Sequence, residues 1–213
     1  MTATKTAHLP NNFDFIRIVA ASMVLLSHHF ALTGQAEPSF FGLYSVGGLA
    51  VAIFFAISGY LVAIGWARDP NLLRFGWRRF LRIWPALTCV VILAAFVLGP
   101  LVTTLPTATY LQHGATWNYL RALLMQIHYV LPGVFEHNPY AAAVNGSLWT
   151  IPFEVRCYIV LGLAGLVGLL RYRPVFLLCI TAYMVWFLTT SNADTTGTMH
   201  YRRELSAFFL LGA

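Results

Sequence analysis

An arginine and a histidine stand eleven positions apart in one apolar stretch near the start of the chain, at Arg17 and His28. Ionisable groups inside a membrane helix are costly and usually functional. Eleven positions on a helix correspond to a rise of about 16 Å, so the two side chains mark two depths and do not touch. Asp14 precedes Arg17 by three positions and is expected to pair with it on the same helix face.

His28 is followed by a second histidine, His29, which points about 100° away if the stretch is helical. The two rings therefore do not form a chelating pair, and we expect one to face a cavity while the other faces protein or lipid. An imidazole in a cavity suits the removal of a proton from a hydroxyl, because histidine titrates near working pH. A structural histidine bonded to a neighbouring helix is the alternative, and this stretch alone leaves both open.

Glu154 is the next ionisable group expected within the membrane. The apolar run that starts at Cys157 is too short to cross about 30 Å of hydrocarbon, so its span must begin near Leu148. Glu154 is thereby predicted near the outer surface at the depth of His28, where a carboxylate could orient the histidine or accept a hydrogen bond from a substrate. A salt bridge between two helices is the alternative. Trp149 is predicted to be either a platform for a sugar ring or an interfacial tryptophan.

Five arginines are concentrated between the second and third apolar runs, in the segment ARDPNLLRFGWRRFLR. The positive-inside rule places this segment, predicted to be a loop, in the cytoplasm. Arg79 and Arg82 share one face if the segment is helical, and guanidinium forks suit phosphate groups. Topology alone also explains such a cluster. The hypothesis that these arginines bind phosphate depends on the whole pattern. Arginines are predicted at the cytoplasmic side of the membrane, and His28 and Glu154 nearer to the outer side.

The composition is that of a polytopic membrane protein. Of the 213 residues, 59% are hydrophobic and 9% are charged, and the mean hydropathy is +0.71. A soluble domain carries about 25% charged residues. The three cysteines show no CxxC spacing, which favours neither disulfides nor a zinc site, and no metal is expected. The net charge of +6 is concentrated locally in arginines, so nucleic-acid binding is not indicated.

The fold class predicted is all-α: a polytopic membrane bundle with about six or seven spans, forming one domain over residues 1–213. The segment 117–146 is predicted to be interfacial or re-entrant, because one more crossing would put the following arginines on the wrong side. Ser58 and Gly59 in the second span are expected to let a neighbouring helix approach closely. The chain is expected to be incomplete at its C-terminus, within its last span. The spans are predicted at 13–32, 44–66, 83–102, 148–170, 174–190 and from about 205, with an exterior loop at 191–204.

Together these stretches resemble the acyltransferase family 3 of integral membrane proteins, which includes bacterial O-acetylases of O-antigen and exopolysaccharide. The resemblance covers nearly the whole chain. Thr150 stands where many members have serine, and members usually have further spans. Four motifs carry the resemblance in order: Asp14 and Arg17 followed after ten residues by His28; FFAISGYL; RRFLRIWPA with Arg79 and Arg82; and NGSLWTIPFEVRCY with Ser147, Trp149 and Glu154.

The resemblance implies transfer of an acyl group, most often acetyl, from cytoplasmic acyl-CoA to a carbohydrate hydroxyl on the far side of a bacterial inner membrane. Acyl-CoA would be a co-substrate, with no tightly bound cofactor. The other implied partners are the lipid bilayer and a surface polysaccharide or its lipid-linked precursor, and the N-terminus would be cytoplasmic. The resemblance makes His28, as the base, and Glu154 catalytic. It assigns six residues to substrate binding: Asp14, Arg17, Arg79, Arg82, Ser147 and Trp149.

Other classes of function remain open from the residues alone. A proton-coupled carrier would use Arg17, His28 and Glu154 as a relay, but its expected inverted repeats are not visible in the sequence. A non-catalytic scaffold would tolerate His28→Ala and Glu154→Ala. Within the enzyme class, a small-molecule acceptor is also open. Direct transfer is the favoured mechanism, because Ser27 points away from His28 and no other side chain is a convincing nucleophile.

Overall fold

The described part of the chain is mostly helical. The computed structural model describes residues 12–40, 44–140, 142–191 and 198–213, without the side chains of 191 and 198–202. Two short antiparallel strands, β1 (Ser39–Phe40) and β2 (Tyr44–Ser45), join the first two helices. The α-helices of these ranges are α1 Phe13–Leu32, α2 Val46–Arg68, α3 Leu72–Leu93, α4 Gly99–Val102, α5 Thr107–Gln112, α6 Gly114–Tyr119, α7 Ile151–Leu166, α8 Arg173–Ser191 and α9 Thr198–Gly212.

Several of these helices are long and apolar enough to cross a membrane. In the described ranges the five such segments are Phe13–Leu32, Val46–Arg68, Leu72–Val102, Gly146–Leu166 and Arg173–Thr190. The predicted all-α polytopic fold is therefore confirmed. The last predicted span corresponds to α9, which has 15 residues, and most of the predicted exterior loop at 191–204 lies outside the fully described residues.

The third span differs from its prediction, because the arginine segment is helical and not a loop. α3 begins at Leu72, where the Asn71 side chain accepts a hydrogen bond from the backbone N–H of Arg74 at 3.0 Å. The helix continues to Val102 through a π-turn at Ala94–Leu98. It is about 46 Å long, which exceeds the roughly 30 Å of hydrocarbon in a bilayer. The arginines are therefore arranged by the helix itself, near one end of the bundle.

Contacts along α2 fix the directions of its neighbours. Phe13 packs on Tyr60 with ring centroids 5.3 Å apart, and Gly47 lies against Ser27, so α1 and α2 are antiparallel. α3 turns back from α2 after a short connection, and α7 and α9 run in the direction of α2. We call the end of the bundle that holds Arg68 and Leu72 the arginine end. The opposite end, which holds Leu32, Tyr44 and Gly146, is the cavity end.

The segment between α4 and α7 starts and finishes at the cavity end. It descends along α3 far enough for the Trp84 indole N–H to donate to the carbonyl oxygen of Leu123 at 3.1 Å. It then returns, and the backbone N–H of Thr104 donates to the carbonyl oxygen of Gly133 at 2.9 Å. This path agrees with the re-entrant element predicted for 117–146.

α2 and α9 pack with their backbones in direct contact. A Cβ atom on Gly59 would collide with the carbonyl oxygen of Phe209, and a Cβ on Gly212 would collide with that of Ala56. Only glycine permits so close an approach. The close packing expected at Ser58 and Gly59 is therefore found, and it holds the C-terminal part of α9 against the middle of α2.

Replacing Gly59 tests this contact. Gly59→Ala is expected to lower the free energy of unfolding by about 1–3 kcal/mol, because the added methyl group forces α9 away from α2. Thermal unfolding of the detergent-solubilised protein measures the effect. Gly65→Ala in the same helix is the matched control: its Cβ would meet nothing within 4 Å, and alanine favours the helix. Equal melting temperatures for the two variants would contradict the packing.

Candidate active site

A cavity of about 890 Å³ lies at the cavity end, between α1, α2, α9 and the segment that precedes α7. This volume is within the range of about 300–1,000 Å³ that is typical of ligand sites. Three of the residues predicted for catalysis or substrate binding line it: His28, Ser147 and Trp149. Ser27, which was expected to point away from His28, lines it too. Glu37, Tyr44 and Glu204 add polar groups that were not predicted. The cavity therefore combines a histidine, aromatic rings and carboxylates.

α1 presents His28 to this cavity and turns His29 away from it. His28 is partly buried on the cavity wall, whereas His29 is exposed. The rotation of about 100° between successive helix residues accounts for the difference. Ser27 lies against Gly47 of α2, which keeps this turn of α1 close to the start of α2. The placement expected for the two histidines is found, while the role of His28 stays a prediction.

A short 3-10 turn, Gly146–Thr150, brings Ser147 and Trp149 to the same cavity. The side-chain oxygen of Asn145 accepts hydrogen bonds from the backbone N–H of Ser147 at 3.2 Å and from its hydroxyl at 2.5 Å. The Trp149 ring packs edge-on against Phe153, with ring centroids 5.8 Å apart. The beginning of α7 is thus a fixed part of the cavity wall.

The three lining residues that were not predicted, Glu37, Tyr44 and Glu204, form hydrogen bonds to other parts of the bundle. The Tyr44 hydroxyl donates a hydrogen bond to the carboxylate of Glu204, which is 8% exposed. Burial, together with that carboxylate, raises the pKa of Tyr44, so the hydroxyl keeps its proton. Glu37 accepts a hydrogen bond from the backbone N–H of Gly47 at 2.6 Å. In the sequence, Glu37 and Glu204 are each an isolated carboxylate next to an apolar span, and this was the only signal that could have indicated them.

At the arginine end, an aspartate divides the arginines of α3 into two groups. Arg74 and Arg78 form ion pairs with Asp69, at 2.8 and 2.6 Å. Both arginines are largely exposed, and their pairs brace the turn between α2 and α3. Arg79 is oriented differently, because its guanidinium lies over the ring of a tyrosine in α7, whereas Arg82 is exposed.

That tyrosine is Tyr158, and Arg79 lies over its ring. The guanidinium carbon of Arg79 is 5.4 Å from the centroid of the Tyr158 ring and 5.8 Å from that of Phe75. Both distances fit cation–π contacts. The Nε atom of Arg79 is buried and has no hydrogen-bond partner among the described residues. An unpaired buried N–H costs about 1–3 kcal/mol, so a bound acceptor group would stabilise this arrangement.

Glu154 is engaged with Tyr158 and does not line the cavity. Its carboxylate accepts a hydrogen bond from the Tyr158 hydroxyl, one helical turn farther along α7. Farther along α7, Gly165 lies against the ring of Trp66 in α2.

Glu154 is therefore not among the residues of the cavity wall that holds His28, and its carboxylate is bonded to Tyr158. The expectation that Glu154 and His28 share one depth stays a prediction.

The predicted pair of Asp14 and Arg17 is present, with a closest N–O distance of 3.6 Å. Asp14 is 84% exposed and Arg17 is 28% exposed. Because Phe13 contacts Tyr60, α1 begins short of the arginine end of α2. Measured along the bundle axis, Arg17 is therefore nearer to the middle than the sequence predicts. It belongs to α1, which packs against α2.

The two groups of polar residues are separated along the bundle axis. His28 is level with the first turn of α2, and Arg79 is one turn above the contact of Phe75 with Trp66. Helical rise places the histidine and this arginine about 20 Å apart along the axis. An elongated anionic ligand held by Arg79 would have to extend toward the cavity to bring a reactive group near His28. Within the described ranges, His, Cys, Asp and Glu residues form no group of three or more that could hold a metal ion.

Comparison with known proteins finds a family whose model matches the chain and a protein of similar sequence. The model of a family described as an acyltransferase domain matches residues 11–213. An "O-acetyl transferase" of Shigella phage Sf6 is 37% identical over 192 residues, which cover 90% of this chain and 56% of that protein. The chain thus spans little more than half the length of this relative. No solved structure matches the chain.

Proposed function

Since the chain belongs to the acyltransferase family 3 of membrane proteins, we propose that the protein is an O-acetyltransferase that uses acyl-CoA and acts on a carbohydrate hydroxyl. The observation that carries this proposal is the position of His28, on the wall of a cavity at the opposite end of the bundle from Arg79. A donor at the arginine end and an acceptor in the cavity account for both groups.

The donor half of the proposal rests on the chemistry of arginine. Acyl-CoA carries several phosphate groups, and guanidinium groups bind phosphate through paired, charge-assisted hydrogen bonds. Arg79 has a buried N–H without a partner among the described residues, and Arg82 is three positions farther along α3. Arg74 and Arg78 are already paired with Asp69. We therefore assign Arg79 and Arg82 to the donor, with Arg17 and its partner Asp14 nearer to the acyl end.

The acceptor half rests on the lining of the cavity. Hydroxyl groups of a sugar are donors that suit the carboxylates of Glu37 and Glu204, and a sugar ring can pack on Trp149. Ser147 adds a small hydroxyl on the same wall. The proposed acceptor is a carbohydrate, such as a surface polysaccharide or its lipid-linked precursor.

The proposed reaction is a direct transfer. His28 takes the proton of the acceptor hydroxyl while the oxygen attacks the carbonyl carbon of the thioester. The carbon–sulfur bond then breaks, and the thiolate of CoA leaves and takes up a proton. The products are the O-acyl sugar and CoA, and the imidazole returns to its neutral form. Glu154 does not line the cavity and is bonded to Tyr158, so it is assigned to the donor half.

The proposed location is a bacterial inner membrane, with the N-terminus and the arginine end in the cytoplasm. The arginines of α3 favour that side. Cysteine labelling tests the orientation in a variant without Cys89, Cys157 and Cys179. Ser147→Cys is expected to react with a membrane-impermeant maleimide on intact spheroplasts, because Ser147 is exposed at the cavity end. Arg78→Cys, at the exposed arginine end, is expected to react only after permeabilisation, and the reverse pattern would contradict the orientation.

The activity is tested with membranes that contain the complete protein. Acetyl-CoA labelled in the acetyl group is supplied, and label is followed into glycan. The proposal predicts label in an ester that mild base releases. Solute flux that needs no CoA, without labelled ester, would instead favour a proton-coupled carrier.

A further inference from the structure

Tyr158 contacts two charged side chains, those of Glu154 and Arg79, which lie between the cavity and the arginine end. Its hydroxyl donates to the carboxylate of Glu154, and its ring lies under the guanidinium of Arg79 at 5.4 Å. The residue is only 4% exposed. The hydroxyl and the ring of one buried side chain therefore have different partners.

Two aromatic rings hold the guanidinium of Arg79. Phe75, one turn earlier on α3, supplies the second ring, at 5.8 Å. A long arginine side chain loses about 1.5–2 kcal/mol of rotamer freedom when it is fixed in one conformation. Cation–π contacts of about 0.5–2 kcal/mol offset that loss before a ligand arrives. The rings thus pre-organise Arg79 for an anionic partner.

Tyr158 also lies between two opposite charges, the carboxylate of Glu154 and the guanidinium of Arg79. A direct salt bridge between Glu154 and Arg79 would occupy the guanidinium and compete with a phosphate. Instead, the carboxylate binds the phenol hydroxyl, and the ring lies against the guanidinium. The hydrogen bond fixes the ring, and among the described residues Arg79 forms no ion pair with Glu154.

We propose that Tyr158 is the positioning residue of the donor site, and that Glu154 acts on donor binding through Tyr158. The inference rests on the proposed function, since it takes Arg79 to bind the phosphates of acyl-CoA. It assigns Glu154 to the donor half of the reaction and not to the orientation of His28.

Equilibrium binding of radiolabelled acetyl-CoA to the purified full-length protein in detergent tests the proposal without any acceptor. Tyr158→Leu removes the ring and is expected to weaken binding by about 5–30-fold. Tyr158→Phe keeps the ring and loses only the hydrogen bond, so a smaller loss of about 2–5-fold is expected. Glu154→Leu is expected to match Tyr158→Phe, and the double variant of these two changes should bind acetyl-CoA as weakly as either single variant and no more weakly, because both changes remove the same interaction.

Tyr183→Leu is the control for a general loss of packing. Tyr183 is also a tyrosine of a membrane helix, and its hydroxyl donates to the carbonyl oxygen of Arg203 at 3.0 Å. This variant is expected to bind acetyl-CoA as the wild type does. An equal loss of binding in Tyr183→Leu and Tyr158→Leu would overturn the inference, and so would fully independent effects of Tyr158→Phe and Glu154→Leu.

Arg79→Gln separates failure of the inference from failure of the proposed function. If Arg79→Gln weakens binding and Tyr158→Leu does not, the positioning role is wrong and the donor site stands. If Arg79→Gln binds acetyl-CoA as tightly as the wild type, the donor assignment itself fails, and the inference fails with it.

Discussion

His28→Ala is expected to lower the rate of acetyl transfer to the acceptor by about 10²–10⁴-fold, the usual contribution of a general base. We expect this loss because His28 lies on the wall of the cavity that is proposed to hold the acceptor. Binding of acetyl-CoA is expected to change little, since the donor arginines lie about 20 Å away along the bundle. Label transfer and acetyl-CoA binding, measured on the same membranes, give both quantities.

His29→Ala is a closely matched control for this variant. It removes the same kind of side chain from the adjacent position of α1, but His29 is exposed and directed away from the cavity. Its transfer rate is expected to stay within about twofold of the wild type, as for a surface substitution that disturbs no defined contact. A similar loss of rate in both variants would point to disruption of α1 and remove the basis for a catalytic role of His28.

Arg79→Gln is expected to raise the KM for acetyl-CoA by about 10–100-fold. Hydrogen bonds between a charged donor and a charged acceptor contribute about 1.5–3 kcal/mol, and the guanidinium is already held between two rings. The KM is obtained from initial rates of label transfer at varied acetyl-CoA concentration and saturating acceptor membranes.

Arg74→Gln is the corresponding control on the same helix. Arg74 has the same charge, but it is paired with Asp69 and is 65% exposed, so its loss is expected to change the KM by less than about threefold. Equal shifts for Arg74 and Arg79 would indicate that only the net positive charge of this end matters. The assignment of individual arginines to the donor would then be wrong.

Much of the fold follows from the amino-acid sequence, because crossing a bilayer requires long uninterrupted apolar runs. The limits of α1 and α8 agree closely with the predicted spans. The third span was predicted too short, since hydropathy falls at the arginines although the helix does not end there. Asn71 caps that helix, and the ion pairs of Asp69 hold its first turns.

The candidate site could be predicted only in part. The presence of His28 in a cavity follows from helix geometry within one element, and Ser147 and Trp149 follow from the motif around them. Glu154 was expected to meet His28, a substrate or a salt-bridge partner, whereas the structure shows it bonded to the hydroxyl of Tyr158 on its own helix.

The carboxylates that line the cavity, Glu37 and Glu204, could not be predicted either. Tyr44 and Glu204 form a hydrogen bond across 160 positions of sequence, and no local pattern encodes that pairing. Glu37 binds the backbone of α2 from a turn that resembles any polar connection. Side chains that meet across the bundle therefore have to be found in the structure.

In the proposed function, donor and acceptor occupy opposite ends of one bundle. Sealed, inverted membrane vesicles that contain the complete protein test it most directly, with labelled acetyl-CoA supplied only at the outer, formerly cytoplasmic, face. Transfer through the bundle is expected to give labelled glycan inside the vesicles, protected from an added esterase until detergent is present, and absent with His28→Ala. Labelled glycan confined to the outer face, or equal labelling with His28→Ala, would contradict it.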